Sequence, residues 1–357
     1  MTLETVKSER DIGIAIVGTG MISEIQAEAI GRVPGARVIG FCGRTRASAE
    51  LRAAQFGAIA CDSVEDLVAH PEVDVASICT PSGSHMEPAL VAASAKKHVI
   101  VEKPIEITIE RTNAIIDACK RNGVTLAAIF PRRLLPSSRL LKTAIESGRF
   151  GTIAMADAYI KWYRTQEYYA TSGWRGTKQF DGGGALMNQG IHGVDLLQWL
   201  MGGVESVTAF VATRSHSIEV EDVAVASVRF RSGALGVIEA STGSWPGDRL
   251  RIEISGSHGV VVLEDETIRT WKFRFPTAED ESIRTRFAHR EGLSSGGATD
   301  PRAIDSEGHR RQFEDLVSAI RENRAPMIDG AEGRFAVAVV TSIYLSAQES
   351  RVVRVPV

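Results

Sequence analysis

The stretch Ile12-Gly13-Ile14-Ala15-Ile16-Val17-Gly18-Thr19-Gly20-Met21-Ile22-Ser23 decides how the remaining residues are read. Its first six residues are apolar without alternation, the pattern of a strand covered on both faces, and they run straight into Gly-x-Gly and a segment of helical spacing. Gly18 permits the tight turn, Gly20 lets the backbone approach a pyrophosphate, and the free N–H groups of the first helical turn face the anion. Ser23 stands where a third glycine is often found. The expectation is a dinucleotide-binding turn that opens an α/β domain.

Outward from that turn, β-branched runs alternate with helical segments as far as Phe130. Strands are expected at Ile12 to Val17, Ala36 to Cys42, Asp74 to Cys79, His98 to Val101 and Val124 to Phe130, and helices at Ile22 to Arg32, Arg46 to Phe56, Val64 to Ala69, His85 to Ala95 and Thr108 to Asn122. This alternation predicts a doubly wound parallel sheet with helices on both faces. After Arg133 strands follow one another with two-residue alternation, as in Leu250, Ile252 and Ile254 against Arg251 and Glu253. Further strands are expected at Thr152 to Trp162, Val204 to Thr213, Val223 to Phe230, Ala234 to Ala240, Val260 to Leu263 and Ile268 to Phe273. Helices at Gly184 to Met201, Gly308 to Asn323 and Gly330 to Ser350 are expected to flank this second sheet, leaving its other face open as a candidate subunit interface. The fold class is α/β, with a nucleotide-binding domain over 1–131 and, over 132–357, a substrate-binding and oligomerisation domain built on an open, mainly antiparallel sheet. The 357 residues, at roughly 150 per domain, also give two domains. Segment 278–306 reads as structureless, either a lid over a site or an idle insertion.

Lys plus Arg number 41 against 44 for Asp plus Glu, so the formal charge of −3 points to neither nucleic acid nor an anionic membrane as a partner. No apolar run approaches the roughly 18 residues of a bilayer span, and 1–10 has no apolar core of a secretion signal, so a cytoplasmic location is expected. Cys42, Cys61, Cys79 and Cys119 lack C-x-x-C spacing and the eight histidines lack H-x-x-x-H, so no metal is implied and the cysteines read as small core residues.

The second strand ends in Phe41-Cys42-Gly43-Arg44-Thr45, where an NAD enzyme commonly carries an acid for the ribose 2′-hydroxyl. Arg44 could instead grip a 2′-phosphate with help from the Thr45 hydroxyl, so NADP is favoured and NAD remains open. The strand ending at Val101 runs into Glu102-Lys103-Pro104, at the edge where ligands of such sheets bind. Lys103 could stabilise an alkoxide or, with a lowered pKa, join in proton transfer; a surface lysine is the plainer reading. Asn188, His192 and Asp195 follow three glycines and share about one helical face, with His192 able to act as acid or base. Tyr163, Arg164, Tyr168, Trp174 and Arg175 cluster just upstream; such side chains suit a sugar, and core packing or a subunit contact explains them equally.

Taken together the chain resembles the Gfo/Idh/MocA family of glucose–fructose oxidoreductases, inositol dehydrogenases and relatives. The resemblance spans nearly the whole chain and rests on Gly18-Thr19-Gly20, Thr80-Pro81 with Ser84-His85, Glu102-Lys103-Pro104, Gly182-Gly183-Gly184 through His192 to Asp195, and Asp329-Gly330-Ala331-Glu332-Gly333. It implies a Rossmann domain beside an open-faced α/β domain, and a homodimer or homotetramer through the open face. By position, Gly18, Gly20, Met21, Ile22, Thr80, Pro81, Ser84, His85 and Glu102 would line the dinucleotide with Lys103, and Arg132 or Arg133 would touch cofactor or substrate. Lys103 and His192 would be the catalytic pair. The family commonly has Asp where this chain has Asn188, which places proton transfer on His192, with Lys103 polarising the oxygen and Asn188 orienting the substrate.

The expected function is NAD(P)-dependent hydride transfer at a secondary hydroxyl or ketone of a sugar, sugar derivative or cyclitol. Two rival readings are a family member that retains its nucleotide and cleaves a glycoside or eliminates a group, and a non-catalytic sugar or nucleotide sensor. The presence of both Lys103 and His192 favours an enzyme over a sensor.

Overall fold

From Gly13 to Val17 the first strand alternates between two cores. Ile14 and Ile16 enter one buried cluster and Ala15 and Val17 the other, so the sheet they belong to is covered on both faces. A computed structural model describes residues 10–288, 296–298 and 306–357. Its first sheet is parallel, with strands β1 (Ile12–Val17), β2 (Ala36–Cys42), β3 (Ile59–Cys61), β4 (Val75–Ile78), β5 (His98–Val101) and β6 (Leu126–Ala128) in the order β3-β2-β1-β4-β5-β6. This is the doubly wound order whose switch point lies between β1 and β4. The sequence analysis missed β3, whose three residues are too short to show a period.

Helices α1 (Met21–Gly31), α2 (Arg46–Phe56), α3 (Val64–Ala69), α4 (Met86–Ser94) and α5 (Ile109–Asn122) begin and stop where side chains dictate. Thr45, Ser63 and Thr108 accept a hydrogen bond from the third residue of α2, α3 and α5, and α2 and α5 end at left-handed Gly57 and Gly123.

A second sheet of eight strands follows α6 (Pro136–Glu146): β7 (Ile153–Lys161), β8 (Val204–Ala212), β9 (Val223–Phe230), β10 (Leu235–Ser241), β11 (Arg251–Gly256), β12 (Gly259–Glu264), β13 (Thr267–Phe273) and β14 (Val353–Arg354). Its order is β13-β12-β11-β7-β10-β9-β8-β14, with β7 and β10 parallel and every other pair antiparallel. One face packs on α8 (Ile191–Met201) and α11 (Gly330–Glu349). The other carries exposed Met155, Phe210, Val225 and Leu235, with Phe210 83 % exposed.

Two expectations about helices change. The helix expected from Gly184 starts as a π-helical turn, Ala185–Gly190, before α8. The helix expected at Gly308 to Asn323, observed as α10 (Glu307–Glu322), covers the first sheet instead of flanking the second: Phe313, Leu316 and Val317 share a core with Ile14, Ile16, Ile30 and Ile100. The nucleotide-binding domain is thus completed by a helix from the far end of the chain. The segment 278–306 is also not structureless throughout, since α9 (Asp280–Arg286) occupies part of it; the lid and insertion readings otherwise fall mainly outside the described residues.

Arg133 ties these parts together. Its guanidinium, 2 % exposed, donates to both Asp195 oxygens at 2.8 and 2.6 Å and also to Glu332, joining the end of the first sheet to α8 and α11. Arg133→Ala strands a buried carboxylate, and is expected to cost about 3–5 kcal/mol in urea denaturation. Arg133→Met with Asp195→Leu removes both charges and should recover most of that loss.

Candidate active site

β5 delivers Glu102, Lys103 and Pro104 to the carboxyl edge of the first sheet, with the Lys103–Pro104 peptide cis. Lys103 crosses the seam between the two sheets. Its Nζ donates to the main-chain carbonyl of Asn188 at 2.8 Å and lies 3.4 Å from Asn188 Oδ1. Behind Asn188 sits Asp181, fully buried, whose Oδ1 accepts from Asn188 Nδ2 at 2.7 Å while Oδ2 accepts from the Gly176 N–H at 2.8 Å.

Electrostatics separate these groups. Burial lowers Lys103, with Arg175 and Arg164 adding to that effect and Glu102 and Asp181 opposing it. Burial pushes Asp181 up to about 7. Burial, then the charges of Lys103, Arg132 and His309, push His192 well below the usual imidazole range, so it is neutral near pH 7 and able to accept a proton. His192 Nδ1 is buried without a hydrogen-bond partner, and its ring meets Phe130 edge-on at 6.4 Å.

Asn188, His192 and Asp195 do not act as one face. Asn188 lies in the π-helical turn and meets Lys103, and Asp195 is held by Arg133. Arg133, read as a candidate contact to cofactor or substrate, and Asp195 instead form a structural ion pair, because each saturates the other in a buried setting. Arg132 remains half-buried, with an ion pair to Asp265 at 2.9 Å.

The glycine turn is as read. Gly18 adopts φ +120°, and a Cβ there would lie 2.5 Å from the Cys79 carbonyl. A Cβ on Gly20 would meet nothing within 4 Å, and no side chain caps the start of α1 at Met21 and Ile22. Thr80 Oγ1 donates to the Ser84 carbonyl at 2.8 Å, Pro81 precedes a 3-10 turn over Ser82–Ser84, and His85 is locked between the carbonyls of Thr80 and Pro104, both at 2.9 Å. Glu102 faces inward, accepting from Gln26 at 2.7 Å and paired with His309 at 3.3 Å; despite burial, His309, Lys103 and Gln26 hold it below the usual carboxylate range. At the end of β2, Arg44 is exposed and the Thr45 hydroxyl caps α2.

A basic and aromatic wall stands on the second-sheet side. Buried Arg164 lies over the rings of Trp162 and Tyr168 at 5.4 and 5.3 Å and donates to the carbonyls of Tyr163, Gly297 and Ala298. Arg175 lies 4.4 Å over Tyr168 and 5.1 Å over Trp174, and its buried Nε has no partner. Both guanidiniums act electrostatically on Lys103.

Residues 12–130 match the oxidoreductase family with an NAD-binding Rossmann fold, and 138–262 match the GFO/IDH/MocA C-terminal domain. The WlbA dehydrogenase of Bordetella pertussis, solved with NADH and UDP-GlcNAcA, is 34 % identical and superposes with a TM-score of 0.89 over 98 % of this chain and 99 % of that one. The chain belongs to the Gfo/Idh/MocA family of oxidoreductases. A second WlbA dehydrogenase, from Chromobacterium violaceum and also holding NADH and UDP-GlcNAcA, is 33 % identical with a TM-score of 0.87 over 100 % of this chain and 99 % of that one. The myo-inositol 2-dehydrogenase of Thermotoga maritima is 26 % identical over 81 % of this chain and 82 % of its own. Among the described residues no helix is long and apolar enough to cross a membrane and no group of side chains is placed to hold a metal ion.

The open, uncapped start of α1 below Gly18 and Gly20 fits the pyrophosphate of the dinucleotide that this Gfo/Idh/MocA domain binds. Three buried groups at this site escaped sequence reading. Asp181 precedes the glycine run with no spacing that ties it to Asn188, and Gln26 and His309 stand far from Glu102 in sequence. Glu221 likewise accepts from Gly184 N, Leu186 N and Tyr344 OH, fixing the glycine turn from the connection that precedes β9. No local pattern announces such partners. Gly18→Ala forces a left-handed β-carbon against Cys79, and is expected to weaken NADH binding by at least about tenfold in a fluorescence titration.

Proposed function

We propose that this NAD-dependent oxidoreductase of sugar-like substrates transfers hydride at a secondary carbinol of a carboxylate-bearing sugar, and that the sugar is nucleotide-linked. The excess of positive charge around the seam carries the reading. Arg164 and Arg175 act on Lys103, Lys103 and Arg132 act on His192, and the Arg175 Nε is buried with nothing to bond. A half-buried guanidinium stacked on aromatic rings suits a carboxylate on a sugar whose apolar face meets those rings. The two WlbA relatives, at 34 % and 33 % identity, hold UDP-GlcNAcA, a sugar of that class.

In this reading His192 takes the hydroxyl proton during oxidation and returns it during reduction. Lys103 stabilises the developing oxyanion, and Asn188 fixes Lys103. Tyr163 and Trp174 border the sugar. The nicotinamide supplies the hydride acceptor or donor. Gly18, Gly20, Met21, Ile22, Thr80 and Pro81 hold the dinucleotide, while Ser84, His85 and Glu102 shape the edge from behind.

NADH is the better-supported cofactor. A Cβ at residue 43 would fall 2.6 Å from Ser48 Oγ and 2.7 Å from Thr19 Cγ2, so the missing acid at the end of β2 has a packing cause and does not by itself argue for NADP. A cytoplasmic location is part of the same proposal, since a freely exchanging dinucleotide would be drawn from the pool there. The open face of the second sheet, with Met155, Phe210, Val225 and Leu235 exposed, is proposed to bury itself against a second copy.

Stopped assays with UDP-GlcNAcA and NAD+ test the chemistry. Turnover is expected with the acid and not with UDP-GlcNAc, faster with NAD+ than with NADP+. His192→Ala should lower it roughly 10²- to 10⁴-fold with NADH binding unchanged. Equal rates with both sugars would remove the carboxylate from the reading, and an unaffected His192→Ala would remove the base.

Sedimentation at micromolar concentration is expected to give a dimer or tetramer, and Phe210→Glu should shift it toward monomer. A monomeric wild type would exclude the interface.

A further inference from the structure

Asn188 presents an amide to Lys103, and a carboxylate lies one hydrogen bond behind it. We propose that Asp181 is a positioning residue for proton transfer: it dictates which end of the Asn188 amide faces Lys103. The proposal rests on the role given to Lys103 above.

An amide has one donating and one accepting end, and its two neighbours here are of opposite kind. Lys103 Nζ only donates, and an ionised Asp181 only accepts. With Asp181 Oδ1 2.7 Å from Asn188 Nδ2, the amide oxygen is left for Lys103, 3.4 Å away, beside the main-chain carbonyl at 2.8 Å. The second Asp181 oxygen accepts from Gly176 N at 2.8 Å, so both oxygens act as acceptors and the geometry is that of the ionised form. A protonated Asp181 would donate through one oxygen. The amide could then turn its NH2 toward Lys103, loosening the ammonium that stabilises the substrate oxygen.

The groups acting on Asp181 are few. Lys103 and Arg175 favour its charged form, as do the hydrogen bonds from Gly176 and Asn188, and burial opposes them and prevails. Tyr169 and Tyr344 are its other titratable neighbours, and burial raises both hydroxyls, so they stay neutral across the working range. His192 is kept neutral to well below its usual range, so it does not supply an acid limb near neutrality. A fall of kcat/KM as pH drops through about 7 therefore reports Asp181.

The test compares wild type, Asp181→Asn, and Asp181→Asn with Asn188→Asp, using the sugar that wild type oxidises and saturating NAD+. Wild type is expected to lose kcat/KM toward acid with a midpoint near 7. Asp181→Asn should lower kcat by roughly 10- to 100-fold with little change in KM or NADH affinity, and abolish the acid limb. Moving the carboxylate to residue 188 should recover most of kcat. A purely structural Asp181 would lower stability and leave kcat and the pH profile alone; that result, or no recovery in the double variant, overturns the proposal. Should the variants not fold, or wild type oxidise no sugar, carboxyl ¹³C NMR of aspartate-labelled wild type in complex with NADH decides. One aspartate titrating near 7, displaced upward in Lys103→Met, supports the coupling; no aspartate titrating above about 6 overturns it. Absence of turnover alone rejects the substrate reading and leaves this one to the NMR result.

Discussion

The ion pair between Arg133 and Asp195, extended to Glu332, is the constraint on which the rest depends. Arg133 follows β6 and its turn, Asp195 lies on α8, and Glu332 is in the first turn of α11. Three segments distant in sequence meet at one buried guanidinium. His192 stands one turn before Asp195 on the same helix, so the pair that holds α8 against the first sheet also aims the imidazole. A buried ion pair of this kind contributes little net stability over an apolar substitute, but breaking one partner is costly. Its value here is geometric, since one guanidinium joins the end of the first sheet to both α8 and α11.

That docking creates the electrostatic character of the seam. Lys103, Arg164, Arg175, Arg132 and His309 converge from both halves, and burial moves Lys103, Asp181 and His192 away from their ordinary values. The imidazole is discharged, Lys103 is lowered and the nearest carboxyl is lifted toward neutrality. An imidazole kept neutral beside a cationic Lys103 suits proton removal from a carbinol during hydride transfer. The family match and the superposition on relatives with bound NADH fit this charge pattern to redox chemistry on sugar-like substrates.

Sequence reading captured most elements because their signals are local. Thr45, Ser63 and Thr108 sit at helix starts, Gly57 and Gly123 at helix ends, and the alternation of Ile252 and Ile254 marks a half-buried strand. It misassigned α10, whose apolar stripe of Phe313, Leu316 and Val317 states that a face is buried but not against which sheet. It also treated Asn188 as sharing one helical face with His192 and Asp195, since the π-helical turn that sets Asn188 apart is held by Glu221 and Tyr344, far along the chain.

The sequence by itself therefore determined the α/β class, the glycine turn at Gly18 and Gly20, and the presence of Lys103 and His192 as the groups able to move a proton. Each follows from residues adjacent in the chain or one period apart. Only the tertiary structure decided that Arg133 belongs to Asp195, that Glu102 turns inward to Gln26 and His309, and that Asp181 backs Asn188. Burial and hydrogen-bond partnership are properties of the assembled interior, where a polar group takes whichever partner the packing brings, and no spacing in the chain records that choice.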